Sequence, residues 1–379
     1  MYDMYALTGC SGKLGGAILK AILNYGLIPA DQLVICTSSK PSDTQWDSVK
    51  SQGAQVRQSN YDDKPSMESA YSGCTKLVLV SSPRISMDFN NAPHGEGREK
   101  HHFDAIDAAR KAGVDHIYYL SLAFGSDSKA GVMRAHNRTE EYLYGLKDVK
   151  FTVIREGLYN ESWPLYFGNY FKLKDDPRKE VVVAGDGPIN WTPIRDLGYT
   201  TALVVADSSS KYEGKTFNLS APTATTLAEI AEIVSEVKGT QVSLKVVSRE
   251  EYVRYYVEDM GMERGNVEWW STSYDALKSN ECHVTDSTLS DLLSKKGSLN
   301  RVLYCEKWLG LKRVQDEMCM QLGYSEEAGS KGSSSLPSGK DESFGAHAAE
   351  RIGPKPPKLN IFKVKKHDFD TSTNGRKRG

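Results

Sequence analysis

The stretch Tyr5-Ala6-Leu7-Thr8-Gly9-Cys10-Ser11-Gly12-Lys13-Leu14-Gly15-Gly16 sets an apolar strand, a glycine turn and the start of an alanine-rich helix at the head of the chain. Glycines at Gly9, Gly12 and Gly15 let the backbone turn sharply, come close to a pyrophosphate without a Cβ in the way, and press the helix onto the sheet. The first helical turn, Ala17-Ile18-Leu19-Lys20, then offers free N–H groups and the positive end of its dipole to an anion. Residues Gly9, Cys10, Ser11, Gly12, Lys13 and Leu14 form the candidate phosphate cradle. A glycine-rich turn without a ligand is the alternative, and the position directly after a strand and before a helix favours the cradle.

About two dozen residues on, the second apolar run Leu33-Val34-Ile35 ends in Cys36-Thr37-Ser38-Ser39-Lys40. NAD-specific proteins usually place a carboxylate there for the ribose hydroxyls. None is present. Hydroxyls and a lysine at Ser38, Ser39 and Lys40 suit a doubly charged 2′-phosphate instead, because a charge-assisted hydrogen bond is stronger than a neutral one. The expected cofactor is NADP(H); a polar surface loop is the other reading.

Alternation of short apolar strands with helical patterns continues through Gln55–Arg57, Lys76–Val80, His116–Leu120 and Lys150–Ile154. Helices are expected at Pro65–Tyr71 and at Lys100–Ala112, the second closed by Gly113. The fold class is α/β, a Rossmann-type doubly wound parallel sheet with a smaller α+β C-terminal substrate region and a disordered tail. Ligands of such sheets bind outside the carboxyl ends of the strands, which directs attention to Asp62, to Ser81-Ser82-Pro83, to Ser121-Leu122-Ala123 and to the segment 155–160. Asp62 is expected to accept from an adenine amino group, while Ser81, Ser82 and Pro83 carry the strand end past pyrophosphate and ribose. Each of these is also a plausible cap or loop residue when taken alone.

Composition narrows the function. The chain has 379 residues, 39% of them hydrophobic and 26% charged, and a formal charge of −1 that gives no electrostatic case for nucleic acid or an anionic membrane. No apolar run is long enough to span a bilayer, and the first residues enter a strand without a cationic, apolar leader, so the expected location is cytoplasmic. Six scattered cysteines contain no Cys-x-x-Cys, which argues against a zinc site or a disulfide framework. His101 and His102, neighbours on one helix, are expected to point to different sides, and no metal site is expected.

The ordered set of motifs resembles the NmrA-like atypical short-chain dehydrogenases, and within them the NADPH:quinone oxidoreductase branch. The likeness runs over roughly residues 4–297. It rests on Thr8 to Gly15, Asn60-Tyr61-Asp62-Asp63, Leu79-Val80-Ser81-Ser82, His136-Asn137-Arg138-Thr139-Glu140 and Ile154 to Tyr159. Downstream, Gly185 to Trp191, Ile194-Arg195-Asp196-Leu197 and Tyr212 to Thr216 extend it. The resemblance implies NADPH bound by the first loop and by the residues after the second and fourth strands. It further implies that segment 155–160, with Gly157 and Tyr159, lies against the nicotinamide. The domain reading is a cofactor-binding core at 1–157, a substrate-binding region at 158–300, an additional helix at 301–324 and a disordered tail at 325–379.

The Tyr-x-x-x-Lys pair of short-chain dehydrogenases is missing, since neither Tyr142 nor Tyr144 has a lysine four residues later. His136 stands where related reductases often carry a lysine. It either holds the ribose or gives a proton to a reduced carbonyl, or it forms a surface pair with Glu140 four residues on. The catalytic candidates are His136 and Tyr159. The aromatic run Trp163 to Tyr170 either stacks on a flat substrate or builds core. Two functions follow: hydride transfer from NADPH to a quinone or related flat carbonyl compound, or a non-catalytic NADP(H) sensor acting through a protein partner.

Overall fold

The computed structural model describes residues 2–125, 127–173 and 175–295. The helix expected at 301–324 and the tail at 325–379 lie outside the described residues.

Strands β1 (Tyr5–Leu7), β2 (Leu33–Thr37), β3 (Gln55–Gln58), β4 (Lys76–Val80), β5 (His116–Leu122) and β6 (Lys150–Glu156) alternate with helices. The helices between and after them are α1 (Lys13–Tyr25), α2 (Asp47–Ser51), α3 (Lys64–Tyr71), α4 (Glu99–Lys111) and α5 (Gly131–Gly145). Downstream come α6 (Trp163–Tyr166), β7 (Glu180–Val183), α7 (Ile194–Val205), β8 (Lys215–Leu219), α8 (Leu227–Lys238) and β9 (Ser243–Val246). The described part closes with α9 (Arg249–Arg254), α10 (Arg264–Lys278) and α11 (Thr288–Lys295). No described helix is long and apolar enough to cross a membrane.

Seven strands form a parallel sheet in the order β3-β2-β1-β4-β5-β6-β8. Residue chemistry assigns the places. Leu33-Val34-Ile35-Cys36-Thr37 is buried throughout and lies inside the sheet, while the polar β3 and the half-exposed β8 take the edges. The chain order reverses between β1 and β4, opening a crevice outside their carboxyl ends.

Period-two alternation splits the strand side chains into two cores. Tyr5, Leu7, Leu33, Ile35, Val78, Leu120 and Ile154 pack against Leu14, Ile18 and Ile22 of α1 and Leu197, Ala202 and Val205 of α7. Ala6, Val34, Leu77, Leu79, Ile117 and Val153 face α3, α4 and α5. Helix α7 crosses α1 at Gly198, where an added Cβ would sit 2.6 Å from the Ala17 Cβ.

A third core gathers the C-terminal region around the two-stranded parallel sheet β7-β9. The aromatic run belongs to it: Trp163, Phe167 and Tyr170 are fully buried, and the Tyr166 ring meets Trp191 edge-on at 5.3 Å. That run is structural core, and its stacking reading falls away because its rings are already covered by protein. Helix α9 runs on into one π-helical turn at Tyr255–Asp259.

Candidate functional site

The β1–α1 turn shows why three glycines stand where they do. Gly9 sits at φ +66°, and a Cβ there would come 2.9 Å from Val80 Cβ on the neighbouring strand. Gly12 N–H donates to the Gly9 carbonyl at 2.9 Å, and a Cβ on Gly15 would collide with that same carbonyl. Thr8 pins β1 to β4, its Oγ1 accepting from Val80 N–H at 2.9 Å. Gly12 caps α1 with no side-chain hydrogen bond, and no acidic residue occupies the first turn. An uncapped, acid-free helix start behind a turn that excludes side chains is the chemistry an anion requires. Leu14 and Cys10 turn inward: Leu14 is core, and burial pushes the Cys10 thiol up to about 12, so neither offers a charge.

In front of that turn lies a cleft of about 200 Å³. Its walls come from the carboxyl ends of four adjacent strands: Thr8, Gly9 and Ser11 after β1, Thr37 and Ser38 after β2, Ser59, Asn60 and Tyr61 after β3, and Ser82, Pro83 and Arg84 after β4. Ser39 points its hydroxyl at Thr37 Oγ1 (2.9 Å), Gln45 and Trp46, so it holds the loop in shape. Lys40 is exposed and Lys13 lines a different groove between α1 and α7, so the cleft wall contains neither.

The β4 end is held by a buried polar network that the sequence reading missed. Ser82 N–H donates to His102 Nε2 at 2.9 Å, which leaves the proton on Nδ1, 2.8 Å from Thr139 Oγ1. Arg84 N–H reaches Ser82 Oγ at 3.4 Å; that hydroxyl donates to His101 Nδ1 at 2.9 Å, and His101 Nε2 faces Asp62 at 3.4 Å. Adjacent helical residues differ by about 100° in direction, yet Ser82 offers two groups that both rings can reach. From there His101 runs to Tyr61 and Asp62, and His102 to Thr139 and Tyr119. Burial drives His102 well below the usual histidine range, with Arg98 adding to it, and lowers His101 likewise. Arg98 is itself buried, bonded to Asp88 at 2.7 Å, to the Ser82 carbonyl at 3.2 Å and to Val132 O at 3.0 Å. Asp62 carries a bidentate bridge to Arg84, both bonds 2.6 Å, and that guanidinium holds its carboxyl below the ordinary range.

The NmrA-like family matches residues 3–267. The chain belongs to that family. It is 28% identical over 298 residues to an NmrA-like family domain-containing oxidoreductase of Aspergillus flavus, covering 77% of this chain and 90% of that protein. The fold matches the NADPH-dependent quinone oxidoreductase of Escherichia coli in complex with NADPH at TM-score 0.65 and 26% identity, over 83% of this chain and 99% of that one. It matches the Citrobacter triphenylmethane reductase complexed with NADP(H) at TM-score 0.64 and 26% identity, over 79% and 98% of the two chains.

In this NmrA-like chain the remaining site candidates fall on the β5 and β6 side. His136 is buried, its Nδ1 2.9 Å from the Tyr119 hydroxyl, and burial depresses its basicity strongly. The surface pairing of His136 with Glu140 does not occur: Glu140 is also buried and binds Arg155 at 2.6 Å and Ser121 Oγ at 2.6 Å. Gly157 follows β6 where a Cβ would strike Thr192 Oγ1, so the backbone passes tightly under that residue. Tyr159 is half-buried beyond it and pairs through its backbone with Thr192; burial raises its phenol, and Glu156 and Glu161 add to the effect. Ser81 is half-buried at the end of β4 beside Ser82. The structure therefore brings Gly9, Ser11, Ser38, Ser82 and Pro83 together in one cleft wall and leaves His136 in the interior.

Proposed function

We propose that the chain is an NADPH-dependent oxidoreductase that delivers hydride to a quinone or a related flat carbonyl compound in the cytoplasm. The observation that carries the reading is the β1–α1 turn, where each Cβ-free glycine clears a path to the unpaired N–H groups of α1, opening on a cleft lined by four strand ends. NADPH, when bound, supplies the hydride. The α1 N-terminus and Ser11 would hold the pyrophosphate, Ser38 and the β3 end the adenosine half, and Ser82 and Pro83 the ribose beside it. Gly157 and Tyr159, beyond β6, would flank the nicotinamide half. His136 acts through Tyr119 as a positioning residue in this reading, and the proton that follows hydride comes from water, since quinone reduction needs no fixed acid. Oxidoreductase names among relatives that cover nine-tenths of their length support the assignment.

A second reading, an NADP(H)-binding sensor that acts through a protein partner, draws on one observation. Helix α5 supplies no lysine, and its histidine is shut in the core. NADPH oxidation followed at 340 nm with a panel of quinones, beside a binding titration of NADPH and NADH, separates the two. Turnover that disappears in Gly12→Trp supports the reductase; tight NADPH binding with no turnover on any acceptor replaces it with the sensor.

A further inference from the structure

Among the residues that wall the cleft, Arg84 is the one fixed cation. His101 lies there too, but burial and the Arg84 charge lower its proton affinity, so it faces the cleft neutral. Lys40, the residue that sequence position nominates for a phosphate, is exposed and outside the wall. Lys64 on the nearby helix is engaged by Asp104 and Asp107 at 3.4 and 3.1 Å.

The reach of Arg84 is equally telling. It follows β4, yet its guanidinium meets Asp62 beyond β3, and in the sheet order β2 and β1 lie between those two strands. The β3–α3 turn leans across to β4, where the Tyr61 hydroxyl donates to the Val80 carbonyl at 2.8 Å, and Arg84 shares the cleft wall with Thr37 and Ser38 of the β2 end. The end of β2 is where a dinucleotide's adenosine ribose is read in such sheets, and Ser38 stands there. An exposed carboxylate–guanidinium bridge contributes little to stability because solvent screens it, so its partner is readily exchanged. Half of each side chain in this bridge is exposed.

We propose that Arg84 is the residue that selects NADPH over NADH, giving up Asp62 for the ribose 2′-phosphate when the dinucleotide enters. The planar guanidinium suits both partners, since carboxylate and phosphate each accept two parallel N–H bonds. Asp62 is then a placeholder that competes with the phosphate and does not recognise adenine. This inference rests on the NADPH reading above, and the experiment separates the two.

Calorimetric titration uses adenosine 2′,5′-bisphosphate and ADP as probes, so that nicotinamide and turnover play no part. The parent chain should bind the 2′-phosphorylated probe at least about tenfold more tightly. Arg84→Met should erase that preference while ADP affinity stays within about threefold. Lys40→Met should leave the preference intact. Asp62→Asn should tighten the 2′-phosphorylated probe by about threefold or more and leave ADP unchanged, because it removes the competitor. All three positions are exposed, and melting curves confirm that each variant is folded. Preference retained in Arg84→Met, or lost in Lys40→Met, overturns the assignment while leaving NADPH binding in place. Equal weakening of both probes by Asp62→Asn restores the adenine role of Asp62 and overturns the exchange. Failure of the parent chain to bind either probe overturns the NADPH reading itself.

Discussion

Glu156 ends β6 with one carboxyl oxygen accepting from Thr201 Oγ1 at 2.7 Å and the other buried with no partner. Burial raises its proton affinity to about 8, opposed by the Thr201 bond, so the folded protein holds it neutral near pH 7. The unfolded chain loses this proton near 4.5 and the folded one only near 8, so the unfolded state binds fewer protons in between. Stability from this group is complete below pH 4.5 and falls as pH rises to about 8. Glu156→Gln should therefore match the parent at pH 4.5 and melt several degrees higher at pH 8.5; parallel curves for the two proteins would show that the carboxyl is not held neutral. His102 and His136 carry the opposite sign, for their folded values are pushed well below 6.5 by burial. Stability from these rings is complete above pH 6.5 and is lost as pH falls below it. His136→Gln should lower Tm and flatten that acid decline, while the pH profile of kcat keeps its shape. An inflection near pH 6–7 that vanishes in the variant would make His136 a proton donor instead.

At the level of elements, α1 is the part on which the cleft depends, and it is set by two close approaches. Gly15→Ala drives a methyl group into the Gly9 carbonyl, a backbone atom that cannot swing aside. Cofactor affinity should fall at least about tenfold in a titration and, because Gly15 is buried, the melting temperature should fall with it; an unchanged affinity would show that the turn tolerates a side chain. Gly198→Val wedges α7 away from Ala17 of α1. It should cost about 1–3 kcal/mol, the usual range for overpacking a helix contact, and a variant as stable as the parent would show that the crossing tolerates bulk. The strands β1, β2, β4, β5 and β6 were legible because each is an apolar run bounded by polar turns, and α3 because Asp63 caps it with Pro65 in its first turn. Strand β8, Lys-Thr-Phe-Asn-Leu, was not: it borrows its burial from the edge it joins, and nothing local separates it from a loop. The cleft's glycines and its Ser82 rim were likewise visible in order along the chain. Its network was hidden, because the Ser82–His101–His102 bonds join residues about twenty apart through angles that helical spacing does not reveal.

Across the whole molecule, the buried Arg98–Asp88 pair ties the Ser82 edge to the Ile85–Asn91 segment and to the first turn of α5. Removing only the cation with Arg98→Met leaves Asp88 charged and covered, at a cost of about 3–5 kcal/mol. The variant should show both a lower Tm and a weaker NADPH complex, and loss of stability without loss of affinity would separate this clamp from the cleft.

Every strand pair in the described residues is parallel, including β7 with β9, whose partners stand more than sixty residues apart. A parallel pair cannot zip from a hairpin, so each ladder has to wait until a long intervening stretch has found its place. The edge strand β8 and the covering helix α7 come late in the chain, so a nascent N-terminal half leaves the outer edge of β6 unpaired and one face of α1 bare. Such a chain folds slowly and late in its synthesis, and until β8 arrives its exposed strand edge is a surface for chaperones to guard.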